Sequence, residues 1–264
     1  MDNFWIQILA ALFIMFLVMT VTWALGRRWD NYGIVDVVWS LSFFLVSCFY
    51  SLITEGWWVR KLLILSIVGL WSLRLSYFLA RRIYLHHPKE DSRYQTLRQD
   101  YGAHLRSRFF LFFQYQGVSV VVLSLVFLEP LRNTTEVLSL WEVVGLAFSL
   151  LGLWGEGIAD AQAQKFKSNP DNHAKVCNVG LWRYSRHPNY FFESLVWWGF
   201  YVTALGTDGA LYTIYAPLTI LFILLKVTGI PPSEAQALQK RGEAYRRYQA
   251  ETSAFVPWFP KKGG

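Results

Sequence analysis

The sequence predicts an all-α integral membrane protein of about seven transmembrane helices. Three observations carry this expectation. Hydrophobic residues make up 54% of the 264 residues and aromatic ones 18%, too apolar for an ordinary soluble domain. Apolar stretches recur at close to the roughly 20 residues that a helix needs to cross a bilayer's hydrocarbon core. The cations are one-sided, with 21 of the 25 Lys and Arg in 26–33, 81–108, 159–189 and 226–264.

The spans are expected at about 4–25, 34–54, 59–80, 109–128, 137–158, 190–206 and 209–229. The first has only Asp2 ahead of its apolar run, with no basic n-region and no convincing small-residue cleavage site. It therefore reads as a retained helix rather than a signal peptide. Asp36 lies in the second span, Arg74 in the third, and Glu156 in the fifth, which runs on into a polar extension. The sixth is the shortest, and the polar turn Gly206-Thr207-Asp208-Gly209 behind it also suits a re-entrant hairpin, so six or eight spans fit as well. Beyond the seventh stands the Pro231-Pro232 break, after which Ser233 is expected to cap a surface helix reaching Tyr248. No fixed-period repeat or long linker divides the chain, so residues 1–264 read as one transmembrane domain.

Threaded through seven spans, the four basic segments share one side, which the positive-inside rule makes cytoplasmic, with the N-terminus outside. Loops 81–108 and 159–189 and the tail 230–264 are then long and cytoplasmic, where function is usually carried. The formal charge of +7 serves topology rather than nucleic acid, because the aromatics lie in the spans and not among exposed basic residues. Cys48 and Cys177 suggest no disulfide framework, and the adjacent His86-His87 lack metal-ligand spacing, so no metal site is expected.

Ionisable residues inside spans are costly and usually face a polar cavity or a partner. Asp36, Trp39 and Ser40 share one helical face; Arg74, Tyr77 and Arg81 share another. Glu156, Asp160, Gln164 and Lys167 form a third stripe, and Glu193 opens the sixth span. A pair such as Asp36 with Arg74 would serve packing alone, but four stripes at one depth favour a shared cavity open to the cytoplasm. The strongest local motif is 178–190. Gly180 permits a turn there, Arg183 and Arg186 offer forks suited to phosphate, and Pro188 stands near N1 of a helix whose first N–H groups suit an anion. Glu90-Asp-Ser-Arg-Tyr94 with Arg98 forms a second basic set.

Taken together, these motifs resemble the steroid 5-alpha-reductase family, in particular its bacterial membrane branch. The likeness covers nearly the whole chain: Asp36-x-x-Trp39, Arg74-Leu-Ser-Tyr77, Glu90-Asp-x-Arg-Tyr94, Asp160-x-x-x-Gln164-x-x-Lys167, Gly180-Leu-Trp, Arg186-His-Pro-Asn-Tyr-Phe-Phe-Glu193 and Phe255-Val-Pro-Trp-Phe-Pro260. The resemblance implies a seven-helix fold enclosing NADPH from the cytoplasmic side, reduction of the double bond of a 3-oxo-delta-4 steroid or similar enone, and a bacterial inner-membrane location. Tyr77 would hydrogen-bond the substrate carbonyl, and Asp160, Lys167, Asn189 and Glu193 would contact the cofactor. Arg81, Arg93, Tyr94, Arg98, Gln164, Arg183, Arg186, His187 and Tyr190 complete the expected cofactor set, and Trp39, Ser40 and Glu55 the substrate set. The animal enzymes place a glutamate shortly after a tryptophan of the second helix, where this chain has Ser40-Leu-Ser-Phe43. Asp36 or Glu55 would replace it, with Asp36 preferred.

The nearest rival resemblance is to the isoprenylcysteine carboxyl methyltransferases. These share an Arg-His-Pro-x-Tyr segment and an acidic residue before Tyr-x-x-Tyr, here Glu234 with Tyr245 and Tyr248. Their donor is S-adenosylmethionine, which carries no phosphate for two basic loops to hold. A sterol-binding protein or transporter is the non-enzymatic reading, and a transporter would be expected to show repeat symmetry, which is not evident. The expected partners are an apolar small molecule and membrane lipid, the expected state a monomer.

Overall fold

The computed structural model describes residues 4–261; Asp2 and the last three residues of the expected tail lie outside them. The described residues form helices α1 (Phe4–Arg28), α2 (Ile34–Ile53), α3 (Trp58–His86), α4 (Ser92–Tyr101), α5 (Leu105–Arg132), α6 (Leu140–Ser168), α7 (Pro188–Ala204), α8 (Tyr215–Phe222), α9 (Ile230–Arg241) and α10 (Glu243–Glu251). Six helical segments are long and apolar enough to cross a membrane: α1, α2, α3, the stretch ending in α5, α6, and the stretch Ala210–Arg241. The chain is an all-α integral membrane protein. The expected sixth span forms a helix, α7, but its 17 residues rise about 25 Å, short of a hydrocarbon core of about 30 Å, and it is not among those six. By its packing the chain divides into two compact units, Met1–Leu138 and Ser139–Gly264.

In the first unit α1 packs on α5 and α2 on both α3 and α5. Close approach depends on small residues, the usual means of packing helices where lipid offers no hydrophobic drive between them. A Cβ on Gly117 of α5 would lie 3.0 Å from Met19 Cγ of α1, and one on Gly69 of α3 would lie 3.0 Å from the Phe44 ring of α2. Trp5, Leu9, Phe13 and Leu17 of α1 stay exposed, a lipid-facing surface that water would not tolerate at this extent. The end opposite Asp36 is held by cations. Arg60 is 1% exposed and donates to the carbonyls of Asn133, Thr135 and Val137 at 2.7 Å each. Lys61 donates to Ser51 O at 2.9 Å and to Thr54 O, satisfying carbonyls that the end of α2 leaves open.

The second unit is built on α6 against α7. Ser139 and Glu142 close a capping box that starts α6. Gly145, Ser149 and Gly152 recur along one face of α6, where a Cβ on Gly152 would stand 2.7 Å from Val196 Cγ2. The turn expected at 206–209 forms through Thr207 N to Ala204 O at 2.9 Å. α8 runs into a π-turn at Ile223–Val227. The tail helix starts earlier than expected: α9 begins at Ile230, so Ser233 sits in its first turn and is not its cap. Proline lacks only an N–H that the first turn does not use, and its ring presets the helical φ, so Pro231-Pro232 begin this helix instead of breaking the chain before it. The same segment is also interrupted, because Gly242 at φ +51° ends α9 and turns the chain into α10.

Candidate functional site

A polar cluster stands in each unit near residues that the motifs singled out. In the first, Asp36 in the opening turn of α2 accepts the Tyr94 hydroxyl at 2.6 Å and Arg93 Nη2 at 2.7 Å. Arg93 also reaches Asp91 at 3.1 Å, and Arg82 reaches it at 2.9 Å. Burial acts to raise the Asp91 carboxyl, but the Arg93 guanidinium and backbone amide, with Arg82, outweigh it and hold the group below the usual carboxylate range. Asp91 also caps α4, accepting Arg93 N at 3.0 Å. Beside this network Glu90, buried, accepts Arg98 Nε at 2.5 Å and Tyr32 N at 2.5 Å, while Arg98 pairs with Asp30 at 2.9 Å.

In the second unit the hub is Arg186. Its Nε donates to Glu234 Oε1 at 2.6 Å, and its Nη1 to the carbonyls of Gln249 at 3.0 Å and Thr252 at 2.5 Å. Gln249 Nε2 donates to the other oxygen of Glu234 at 2.8 Å, and His187 Nε2 lies 3.3 Å from Oε1. Burial lowers the affinity of His187 for a proton more than Glu234 restores it. Tyr248 donates to Trp182 O, and burial raises the Tyr245 hydroxyl to about 12. Gly180 takes φ +54° as the turn required, and Leu181 N donates to Gln162 Oε1 at 2.8 Å. Pro188 starts α7 as expected. Behind it, Asn189 Oδ1 is buried without a hydrogen-bond partner among the described residues. A cavity of about 750 Å³ is lined by Asn178, Arg183, Tyr248 and, from the tail, Phe259, Pro260 and Lys261.

Several expected site residues therefore occupy different surroundings from those anticipated. Arg93, Arg98 and Arg186, expected as phosphate ligands, are paired with Asp36 and Asp91, with Glu90 and Asp30, and with Glu234; a fork bonded to a carboxylate has its charge largely neutralised. Of the four expected phosphate-binding arginines, Arg183 lines the cavity. Gln164, Lys167 and Arg81 are exposed, and Asp160 and Glu193 half-buried, with Glu193 accepting Trp197 Nε1 at 3.0 Å. Tyr190 donates to or accepts from Ser233 Oγ at 3.1 Å. Asp36 and Tyr77 are not joined: the tyrosine on Asp36 is Tyr94, and Tyr77 is 70% exposed on α3. Trp39 donates to Ser119 Oγ at 2.9 Å, and Ser40 shares a 2.8 Å bond with Ser76, so both tie helices together. Glu55 is exposed beyond the end of α2. Glu234, Gln249, Gln162 and Asp91 were absent from the expected set; Glu234 carried a signal through its place before Tyr-x-x-Tyr, and Asp91 through its place in Glu90-Asp-x-Arg-Tyr94.

Residues 22–252 match the family described as "Protein of unknown function (DUF1295)", which includes steroid 5-alpha-reductase-like proteins. The chain belongs to that family. It is also 26% identical to the uncharacterized protein C594.04c of Schizosaccharomyces pombe, over 93% of this chain and 78% of the relative. No solved structure matches.

Proposed function

We propose that the protein is an NADPH-dependent membrane reductase that transfers hydride to the carbon-carbon double bond of a 3-oxo-delta-4 steroid or similar apolar enone. Its place is the bacterial inner membrane, with the N-terminus outside and the basic segments in the cytoplasm. The observation that carries the reading is the start of α7. Asn189 there holds a buried acceptor without a donor among the described residues, a group that costs about 1–3 kcal/mol if left so, and the helix N-terminus favours an anion. Arg183, on the cavity of the same unit, offers a planar fork for phosphate. This donor and acceptor set fits a polyanionic dinucleotide with an amide group, and Arg183, Lys167 and Asn189 would hold it.

The cofactor, when bound, supplies the hydride. By the resemblance, Tyr77 would donate a hydrogen bond to the substrate carbonyl oxygen, where negative charge develops. Family membership supports this reading, since the family includes steroid 5-alpha-reductase-like proteins.

Purified protein mixed with NADPH and a panel of 3-oxo-delta-4 steroids should consume the nicotinamide absorbance; no oxidation with any of them would overturn the substrate assignment. Tyr77→Phe should lower turnover far more than NADPH affinity, and undiminished activity would remove Tyr77 from the role. One observation favours a second reading, an S-adenosylmethionine-dependent methyltransferase of the isoprenylcysteine type: Glu234 is clamped on Arg186 beside the Tyr245–Tyr248 ring pair. Protection from heat unfolding separates the two, by NADPH for the reductase and by S-adenosylmethionine for the methyltransferase.

A further inference from the structure

The end of the tail presents an unusual combination of fixed backbone and exposed aromatic side chains. Trp258 N donates to Tyr184 O at 2.9 Å, Lys261 N to Glu251 O at 2.9 Å, and Ser185 Oγ to Phe255 O at 2.7 Å. Arg186 N donates to Ser253 O at 2.8 Å, so the strap is tied at four points, three to neighbouring backbone and one to the Ser185 hydroxyl. Yet Val256 is 53% exposed, Trp258 69% and Phe259 76%, and Lys261 is exposed beside them. A rigid loop gains nothing in water from holding three large apolar side chains outward.

Depth supplies the explanation. Tyr184 and Ser185 lie within four residues of Pro188, where the apolar helix α7 begins, and Trp182 Nε1 donates to Ala159 O of α6 at 2.8 Å. The strap is therefore fastened beside the polar end of α6, a helix long and apolar enough to cross a membrane, and the level at which such a helix leaves the hydrocarbon is where tryptophan and lysine are favoured. Trp258 and Phe259 each have an apolar body, and Lys261 adds the cation that lipid phosphates attract.

We infer that Val256–Lys261 is an interfacial anchor that docks on the lipid surface, with Val256, Trp258 and Phe259 at the boundary between headgroups and acyl chains and Lys261 among lipid phosphates. The occupant is the bilayer itself, because the strap is tied to the turn that Trp182 fastens to α6, a helix long and apolar enough to cross it, and the charge of Lys261 is complementary to anionic headgroups. Phe259 and Lys261 also border the cavity of about 750 Å³, and the anchor concerns their exposed faces whatever reaction the protein performs.

The test uses the full chain with Cys48 and Cys177 replaced by serine, reconstituted in vesicles of mixed zwitterionic and anionic phospholipid. Phe259→Cys carries an environment-sensitive fluorophore, and Lys240→Cys, on the exposed face of α9, serves as the control. The label at 259 should emit to the blue of the one at 240 and lose intensity to a nitroxide carried near the lipid headgroup, while aqueous iodide quenches it weakly. Stronger quenching by iodide than by the lipid nitroxide, or emission matching position 240, overturns the anchor. So does shielding of the label by NADPH in detergent to the extent seen in vesicles, which would assign the strap to a ligand site instead.

Discussion

Glu234→Ala should detach the tail from the 182–188 turn. Glu234 receives two charge-assisted hydrogen bonds, from Arg186 Nε at 2.6 Å and from Gln249 Nε2 at 2.8 Å, and its side chain is only 16% exposed. Hydrogen bonds to charged groups contribute about 1.5–3 kcal/mol each, and leaving a largely buried guanidinium without its carboxylate adds a desolvation cost. Discounted because Arg186 keeps its carbonyl partners on Gln249 and Thr252, the loss is about 3 kcal/mol of local stability. That corresponds to roughly a hundredfold rise in the open population, which sets the rate of proteolysis when reclosing is fast. Limited trypsin digestion, followed at Lys240 and Arg241, should therefore accelerate by about two orders of magnitude. Glu234→Gln, which keeps an acceptor for Arg186, should fall between. A rise of less than about fivefold in Glu234→Ala would refute the idea that this pair fastens the tail, as would equal effects of the two variants.

Other consequences are open to measurement. Arg60→Met removes the three donors that hold the carbonyls of Asn133, Thr135 and Val137, and should cost about 3–5 kcal/mol in detergent unfolding. Gly152→Leu, forced against Val196 Cγ2, should destabilise the α6–α7 pair by about 3 kcal/mol or more, whereas Gly157→Leu, which meets nothing within 4 Å, should be near neutral. His187 is held below its ordinary value of 6.5, so the unfolded chain binds more protons than the folded one just beneath that value. The stability from this group is complete above pH 6.5 and is lost as the pH falls toward the depressed value, a decline that His187→Gln should flatten in melting curves.

The span positions were legible because each depends on a local property. α1, α2, α3, α5 and α6 coincide with apolar runs, and Pro188 and Gly180 marked a helix start and a turn that need only their own backbone preferences. The tail helix was legible in kind but not in extent. Whether Pro231-Pro232 starts a helix or interrupts one depends on what precedes it, here a π-turn closed by Thr228 N and Gly229 N, which both bond back to Ile223 O. The site was legible only in part. Asp36 and Arg93 were both singled out, yet their bond joins residues 57 positions apart, and no spacing rule reaches so far. Tyr77 and Asp36 each stood out by its helix face, but the hydroxyl on Asp36 belongs to Tyr94.

The sequence by itself determined that this chain lives in a membrane. Hydrocarbon leaves no partner for a backbone N–H or carbonyl except the helix's own, so a long apolar run has one stable form whatever surrounds it. Only the tertiary structure decided which cations are paired with carboxylates. Arg183 and Arg186 are three residues apart and chemically identical, but Glu234 arrives beside Arg186 from 48 positions away, and Arg183 is left on the cavity. An electrostatic pairing falls off with distance in space and not along the chain, so it is settled by packing.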